Sequence, residues 1–465
     1  MEERTLKFVT AACRAEILAG PAEATVQNVC TDSRYVQPGD LFFAIRGETF
    51  DGHAFVVEAA VKGAVAVMVE RSKIEALEGR VPPTCVVLLV DDARAALGQL
   101  AAAYRRDFSP RVTAVGGSNG KTTTKELIAS VLCQKLPTLW SESSFNNDIG
   151  VPATLLRLAP SHQAAVLEAG TNHPGELAPL VRLIRPQLGV ITSIGREHLE
   201  FFGDEAGVAQ EEGWLAELLP GDGTLFLNGD TPWTETVAAR TRAKVVRMGF
   251  GANNDWRATK VRLDKNGVTF QVLAPRPELN GEYRVNLLGR HQAVNALLAI
   301  GVGAEHGLGR VEIQRGLAEC QPPKMRMQFW EANGVRVLDD CYNANADSMR
   351  AALETLGDLP LHGRRVAVLG DMAELGAQSE AAHAEIGRRA AELKIGQLFT
   401  VGRNSAVMAR AARDAGLTRV IEFADVEAAM RAVRNFLKPG DVVLFKASRS
   451  SRLERITETL RSEKS

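Results

Sequence analysis

The chain has almost no net charge, because 55 Lys and Arg residues are balanced by 56 Asp and Glu residues. This balance argues against a protein that coats nucleic acid or a membrane surface, and a bound anion is expected only at a local site. Long apolar runs are also missing, since no stretch approaches the roughly 18 apolar residues of a membrane-spanning helix. The start Met-Glu-Glu-Arg lacks the segments of a secretory signal. We therefore expect a protein that is neither exported nor inserted in a membrane.

Cysteines are few and widely spaced. They form no Cys-x-x-Cys pair and show neither zinc nor disulfide-framework spacing, lying at positions 13, 30, 85, 133, 320 and 341. This usage fits a cytoplasmic protein in a reducing compartment. No exposed apolar helix or strand stands out, which favours a monomer.

The length of 465 residues predicts several domains, because a domain usually has roughly 100–200 residues. We expect three, all α/β. Residues 1–86 form a small mixed domain that ends near Pro82-Pro83. Residues 87–321 repeat buried apolar strands, turns and helices, as in a parallel sheet covered on both faces, with antiparallel strands at 251–286 and a helix at 290–306. Residues 322–465 form a Rossmann-like domain of similar pattern.

A glycine-rich turn follows the apolar strand at residues 112–115 and leads into a helical stretch. Its glycines allow backbone N–H groups to converge on a phosphate, Lys121 adds a positive charge, and the Thr122 hydroxyl suits Mg²⁺. The common P-loop has another Gly where this chain has Val115. The order of strand, glycines, Lys-Thr and helix nevertheless predicts a nucleotide triphosphate site, formed by Gly117, Ser118, Asn119, Gly120, Lys121, Thr122 and Thr123.

Two other strands of the middle domain end in potential metal ligands. Glu168 follows the apolar residues 164–167, and His198 follows the strand at 188–192. Ligands in open parallel sheets lie beyond the carboxyl ends of the strands, so both side chains are expected to reach Mg²⁺ bound to nucleotide phosphates. Taken singly, Glu168 could equally be a surface carboxylate and His198 a histidine whose partners are structural.

Polar segments in the second half of the chain offer further contacts. Asn295, near the start of a helix, could face a base or lie on a solvated, capped helix. Asp340, in an Asp pair at a strand end, suits ribose or a cation, although a helix-capping loop also explains it. Lys446, Ser448 and Arg449 follow the last strand and form either a carboxylate clamp or an exposed turn.

Together these segments resemble the Mur ligases of peptidoglycan synthesis over the whole chain. The matching segments are Thr31 to Arg34, Pro38 to Gly47, Asp51 to His53, Gly117 to Thr124, Asn146 to Pro152, Glu168 to Asn172 and His198 to Glu200. Asp339 to Asn345, Ser348-Met349 and Leu369 to Gly376 resemble the signature of the member that adds D-alanyl-D-alanine.

The resemblance implies an ATP- and Mg²⁺-dependent ligase that joins D-alanyl-D-alanine to UDP-N-acetylmuramoyl-tripeptide through an acyl phosphate. ATP would lie across the second and third domains, and domain closure would complete the site. The third peptide residue, L-Lys or meso-diaminopimelate, stays open.

The resemblance also implies roles for individual residues. The catalytic residues would be Lys121, Glu168, His198 and Glu212, with Thr122, Glu168 and His198 on the metal. Asn295, Arg326 and Asp340 would hold adenine, phosphate and ribose, respectively. Substrate contacts would come from Ser33, Arg34, Asp51, His53, Asn147, Asn343, Asn345, Lys446, Ser448 and Arg449.

The chain departs from the family pattern at three positions. Glu212 stands where the family has a lysine that becomes carbamylated and helps to bind a second Mg²⁺. Either it replaces the carbamate, or the second Mg²⁺ binds weakly, or the residue simply lies on a solvated helix face. In the first case activity should not depend on added bicarbonate. Gln292 replaces a usual Asn and Ala346 a usual Pro, and neither change removes a group that the chemistry needs.

Two other functions compete with this one. Another amide ligase of the superfamily, of the folylpolyglutamate or cyanophycin type, is disfavoured by the N-terminal UDP-sugar motif. A nucleotide-binding regulator without turnover would explain Glu212 as a sign of decay, but Lys121, Glu168, His198 and Arg326 are all retained.

Overall fold

The structure is a computed structural model that describes residues 1–21, 23–47, 49–77, 79–360 and 362–462. The strands are β1 (Arg4–Thr5), β2 (Glu16–Ala19), β3 (Thr25–Val26), β4 (Asn28–Cys30), β5 (Asp40–Phe43), β6 (Ala66–Glu70), β7 (Val86–Val90), β8 (Arg111–Gly116), β9 (Thr138–Trp140), β10 (Ala164–Glu168), β11 (Leu188–Ile191), β12 (Thr224–Asn228), β13 (Lys244–Gly249), β14 (Trp256–Asp264), β15 (Gly267–Leu273), β16 (Gly281–Val285), β17 (Gln328–Ala332), β18 (Val335–Asp340), β19 (Arg365–Gly370), β20 (Gln397–Val401), β21 (Val420–Phe423) and β22 (Val442–Lys446).

The α-helices alternate with these strands along most of the chain. They are α1 (Leu6–Cys13), α2 (Val56–Val61), α3 (Ala93–Arg105), α4 (Lys121–Leu132), α5 (Gly150–Leu155), α6 (Leu177–Ile184), α7 (Leu199–Phe202), α8 (Glu205–Glu217), α9 (Thr234–Ala238), α10 (Gln292–Glu305), α11 (Arg310–Glu319), α12 (Ala346–Asp358), α13 (Ser379–Glu392), α14 (Ser405–Asp414), α15 (Val426–Phe436) and α16 (Glu454–Ser462). The α/β class is confirmed. Within the described ranges, no helix has both the length and the hydropathy needed to cross a bilayer.

The chain divides into two compact units. The first comprises residues 1–114, 136–170 and 179–186, and the second comprises residues 115–135, 171–178 and 187–465. Strand β8 begins in the first unit, and its last two residues belong to the second. The units are described separately below.

The first unit contains a five-stranded sheet in the order β2-β7-β6-β5-β4. Strand β7 runs parallel to β6, with Val86 opposite Ala66, and antiparallel to β2. The sheet therefore continues past Pro82-Pro83, near which the first domain was expected to end. The proline pair only makes a turn, in which the Cys85 N–H donates to the Pro82 carbonyl at 2.9 Å. The same unit holds the parallel pair β9 and β10.

The second unit contains parallel strands β11 to β14, followed by antiparallel β15 and β16. The apolar side chains of β11 and β12 are buried, as the continuous apolar runs predicted. The antiparallel strands confirm the expectation for residues 251–286. The helix expected at 290–306 is α10, which begins at Gln292 and ends at Glu305.

A six-stranded sheet ends the second unit, in the order β17-β18-β22-β19-β20-β21. The central strands β18, β22, β19 and β20 were expected from their apolar runs and are parallel. The edge strands β17 and β21 were missed. Strand β17 is only partly buried and forms an antiparallel hairpin with β18 through Asn333-Gly334, a turn signal that the sequence does contain.

Candidate active site

The turn between β8 and α4 has the conformation of a phosphate-binding loop. Gly117 and Gly120 have φ angles of +108° and +86°, in the region that favours glycine. A Cβ atom on Gly117 would lie 2.6 Å from Thr192 Oγ1, and one on Gly120 would lie 2.9 Å from Asn295 Oδ1. Glycine is therefore required at both positions by backbone angle and by space. The helix α4 begins at Lys121, so backbone N–H groups and the positive helix end face the turn.

The segment after β11 holds this loop in place. The Ser118 N–H donates to the Ser193 carbonyl at 2.8 Å, and the Asn119 N–H donates to Ser193 Oγ at 2.9 Å. In return, the Gly195 N–H donates to Ser118 Oγ at 2.9 Å. Within the second unit, the segment after β11 thus supports the phosphate loop.

Lys121 contacts a carboxylate that the sequence analysis did not single out. Its Nζ lies 3.2 Å from Glu197 Oε2 and 3.3 Å from the Ser118 carbonyl. Glu197 is buried, and its Oε1 has no hydrogen-bond partner among the described residues. The sequence offered one signal for it, which is its position directly before His198.

Glu212 lies against the same loop. Its side chain is fully buried, so the alternative of a solvated helix face is wrong. Oε2 accepts the Gly117 N–H at 2.6 Å, while Oε1 has no hydrogen-bond partner in the described part of the chain. Burial raises the pKa of Glu212 to about 8; Lys121 opposes this rise and the negative charge of Glu197 adds to it.

His198 begins the short helix α7 in a left-handed conformation, with φ +48° and ψ +34°. Its Nδ1 hydrogen-bonds the carboxylate of Glu374, and its side chain is 14% exposed. His198 therefore has a structural partner at Nδ1, in line with the alternative of a histidine whose partners are structural. Its Nε2 has no partner within the described ranges.

Glu168 is the last residue of β10 in the first unit and is 1% exposed, which excludes a surface carboxylate. Asn146 Nδ2 donates to its Oε1 at 2.8 Å, and its Oε2 is buried without a hydrogen-bond partner among the described residues. Asn147, which follows Asn146 and was expected to contact substrate, accepts the Gly150 N–H through its Oδ1 at 2.9 Å. It therefore supports the start of α5.

Asn295 and Gln292 are both buried on α10, so the solvated-helix alternative is wrong for them. Asn295 Nδ2 donates to Gln292 Oε1 at 2.8 Å, and its own Oδ1 is the atom closest to a Cβ built on Gly120. Asn295 thus lies beside the phosphate loop.

Asp340 and Lys446 form a buried ion pair at the ends of β18 and β22, with Lys446 Nζ 2.5 Å from Asp340 Oδ2. Lys446 also donates to the Asn343 carbonyl at 3.0 Å, and Asp340 Oδ1 accepts the Met327 N–H at 3.0 Å. The expected contacts to ribose and to a substrate carboxylate therefore compete with an internal pair.

The other expected residues of the last sheet divide between structural and exposed positions. Ser448 is buried and links two loops, since its Oγ donates to the Ala344 carbonyl and accepts the Ala373 N–H. Arg449 is exposed, and the Arg326 guanidinium stacks on the Tyr342 ring at 4.0 Å.

Asn345 caps α12, and its Nδ2 donates to Asn119 Oδ1 at 3.0 Å. This contact joins the loop between β18 and α12 to the phosphate loop within the second unit.

In the first unit, His53 uses both ring nitrogens internally, towards Asp51 Oδ1 at 2.6 Å and the Glu70 N–H at 3.0 Å. Burial opposes ionisation of Asp51, but the hydrogen bonds from His53 and Lys73 lower its pKa to about 2. Arg34 is exposed and pairs with Asp32, and Ser33 is buried, with its carbonyl bound by Lys62. Of the four expected substrate residues here, Arg34 is the most accessible.

Each unit contains a buried oxygen of the kind that binds Mg²⁺. No group of three or more His, Cys, Asp or Glu side chains suited to a metal occurs in the described part of the chain. However, Thr122 Oγ1 and Glu168 Oε2 are buried oxygens without hydrogen-bond partners there, and hydroxyl and carboxylate oxygens are the ligands that Mg²⁺ takes beside nucleotide phosphates.

Comparison with protein families matches three consecutive models. They are described as "Mur ligase family, catalytic domain" (residues 25–105), "Mur ligase middle domain" (115–303) and "Mur ligase, glutamate ligase domain" (325–449).

Individual relatives match over the full length. The UDP-N-acetylmuramoyl-tripeptide--D-alanyl-D-alanine ligase of Escherichia coli K12 is 37% identical over 97% of this chain and 98% of its own length. MurF from Acinetobacter baumannii has a TM-score of 0.88 at 30% identity, covering 99% of both chains. MurF ligase from Thermotoga maritima in complex with ADP has a TM-score of 0.79 at 27% identity, covering 94% of this chain and 97% of that one.

Proposed function

Because the chain belongs to the Mur ligase family, we propose that it is the ATP-dependent ligase that joins D-alanyl-D-alanine to UDP-N-acetylmuramoyl-tripeptide. The observation that carries this proposal is the phosphate loop, with Lys121 and Thr122 at the start of α4 and two glycines at positive φ where a side chain would be strained. The full-length relatives named as this ligase support the choice of substrates. We also propose a cytoplasmic location, because the reaction consumes ATP.

The chemistry consists of two transfers. A carboxylate oxygen of the tripeptide attacks the γ-phosphorus of ATP, and the bond from that phosphorus to the bridging oxygen breaks to release ADP. The amine of D-alanyl-D-alanine then attacks the acyl carbon, loses a proton, and expels phosphate as the amide forms. Phosphorylation is needed because a free carboxylate has no adequate leaving group.

Lys121 and the backbone N–H groups at the start of α4 are assigned to the phosphates. They bind and orient the γ-phosphoryl group and offset its negative charge in the transition state. Glu197 holds Lys121 at 3.2 Å and so fixes where this charge lies. Asn295 beside Gly120, Arg326 stacked on Tyr342, and Asp340 are proposed to bind adenine, phosphate and ribose, with Asp340 exchanging its contact to Lys446.

Thr122, Glu168 and His198 are proposed to hold Mg²⁺. The ion would supply charge neutralisation on the transferring phosphoryl group. Glu212 would place its carboxyl group against the phosphate loop, in the position of the carbamate that the family resemblance implies.

The competing functions are less well supported. A folylpolyglutamate-type ligase does not explain relatives named as the D-alanyl-D-alanine ligase that cover 97–99% of the chain. A regulator without turnover does not explain why Glu168 and Thr122 keep unpartnered oxygens in buried positions, where such groups cost stability.

Phosphate release by the purified chain tests the proposal. ATP and Mg²⁺ are supplied with UDP-N-acetylmuramoyl-tripeptide and D-alanyl-D-alanine, each alone and both together. We expect sustained release only with both substrates, and none from Lys121→Ala. Sustained release with a folate or with the nucleotide sugar alone, or ATP binding without any release, would contradict it.

A further inference from the structure

Glu374 lies on the loop between β19 and α13, outside every role assigned so far. Its carboxylate hydrogen-bonds Nδ1 of His198, and its own carbonyl accepts the Glu200 N–H at 3.0 Å. His198 and Glu374 are far apart in sequence, and both adopt left-handed backbone angles, with φ +48° for His198 and +58° for Glu374. Such angles are unfavourable for residues with side chains, so the fold keeps two strained turns face to face.

The loop that carries Glu374 is fixed from behind. The Ala373 N–H donates to Ser448 Oγ at 2.8 Å, and the Met372 N–H donates to Nε2 of the buried His383 at 3.0 Å. On the other side of Glu374, a Cβ on Gly376 would lie only 3.1 Å from Glu200 Cα. The carboxylate is therefore presented to His198 from a rigid support.

The His198 ring has one nitrogen committed and one available. Glu374 accepts from Nδ1, the centroids of the imidazole and the Phe202 ring are 6.5 Å apart with the rings edge to face, and Nε2 has no partner among the described residues. A carboxylate on one ring nitrogen of a neutral histidine keeps the proton there and leaves the lone pair on the other nitrogen. The preceding residue, Glu197, contacts Lys121, so the ring lies at the edge of the phosphate loop.

We propose that Glu374 is a positioning residue for His198, which it holds in the Nδ1–H tautomer so that the Nε2 lone pair is available to a cation bound with the nucleotide phosphates. The cation role rests on the proposed function, whereas the tautomer can be measured without any substrate. Glu374 itself touches neither ATP nor metal.

The matched control is Glu385. Its carboxylate also reaches the segment after β11, because Glu385 Oε2 lies 2.6 Å from Arg196 Nη1. Arg196 precedes His198 by two residues. Glu385 therefore joins the same parts of the chain without touching the imidazole. A general role in holding these segments together would make the two carboxylates equivalent.

The first measurement is the histidine tautomer in the full chain with ¹⁵N-labelled histidine, at a pH where imidazole is neutral and without nucleotide. Two-bond ¹H–¹⁵N correlations identify the protonated nitrogen, and loss of one signal in His198→Gln assigns it. We expect Nδ1–H in the wild type and in Glu385→Ala, and a shift towards Nε2–H in Glu374→Ala. An Nε2–H tautomer in the wild type, or no shift in Glu374→Ala, would overturn the proposal even if ligation is confirmed.

The second measurement is the Mg²⁺ concentration that gives half-maximal phosphate release with both substrates. Loss of a ligand's orienting partner typically costs about 10- to 100-fold in metal affinity or activity. We expect an increase of that size in Glu374→Ala, a smaller one in Glu374→Gln, whose amide oxygen still accepts a hydrogen bond, and little change in Glu385→Ala. Equal increases in Glu374→Ala and Glu385→Ala would contradict the positioning role.

Discussion

Glu212 shows how a single residue can change the electrostatics of a phosphate site. Its carboxylate is excluded from water and accepts the Gly117 N–H, a group that would otherwise be free for phosphate. Because its pKa rises to about 8, Glu212 is mostly protonated near neutral pH. The missing negative charge limits its repulsion of the nucleotide phosphates. The negative charge of Glu197 and the positive charge of Lys121 act on it in opposite directions.

This shifted pKa predicts a pH-dependent stability. The folded chain keeps a proton on Glu212 up to about pH 8, whereas the unfolded chain loses it near the ordinary value of 4.5. The contribution to stability is therefore complete below pH 4.5 and is lost as the pH rises through 8, with an upper limit of about 5 kcal/mol. Glu212→Gln should lose less stability than the wild type between pH 6 and 9 in thermal unfolding without nucleotide. Glu217→Gln, an exposed position on the same helix, is the control, and parallel curves for all three proteins would contradict the assignment.

The same residue predicts how activity responds to bicarbonate. A glutamate has its carboxyl group without carbamylation, so added bicarbonate should leave the rate of phosphate release unchanged. Glu212→Lys should become bicarbonate-dependent if the position serves the role that the family resemblance implies. A strong bicarbonate response in the wild type would refute the substitution of carboxylate for carbamate.

At the scale of elements, the phosphate loop depends on backbone geometry more than on side chains. Gly117→Ala should prevent nucleotide binding, because the new Cβ would lie 2.6 Å from Thr192 Oγ1 and the N–H groups would move. Gly416→Ala is the matched control, since Gly416 also has a positive φ, +94°, but has open space around its Cβ direction.

Both variants should lose about 1–3 kcal/mol of stability from backbone strain, and only Gly117→Ala should lose binding of ATP in calorimetry. Wild-type affinity in Gly117→Ala would show that the loop does not hold the nucleotide.

Elements that bury continuous apolar runs could be predicted from sequence, as β11, β12 and β19 show. The edge strands β17 and β21 could not be predicted from apolar runs in the same way, because each leaves part of its surface in solvent and mixes polar with apolar residues. The glycine, lysine and threonine of the loop were predictable because their chemistry is local. Glu197 and Glu374 were not, because their partners lie on other elements and no short pattern records such contacts.

At the scale of the whole molecule, residues of the predicted second and third domains meet at the phosphate loop within one compact unit. Asn345 reaches Asn119 at 3.0 Å, and Arg196 contacts Asp347 at 2.8 Å. These pairs are separated by 226 and 151 positions in the chain, so only the folded structure reveals them. They join the start of α12 to the phosphate loop and to the segment after β11.

The central claim is that this chain activates a carboxylate by transferring phosphate to it before the amide forms. It is tested most directly with UDP-N-acetylmuramoyl-tripeptide labelled with oxygen-18 in the terminal carboxylate, supplied with ATP, Mg²⁺ and D-alanyl-D-alanine. Mass spectrometry of the released phosphate should show one heavy oxygen per phosphate, since the carboxylate oxygen that attacks phosphorus leaves with it. Unlabelled phosphate, or amide formation without phosphate release, would contradict the account.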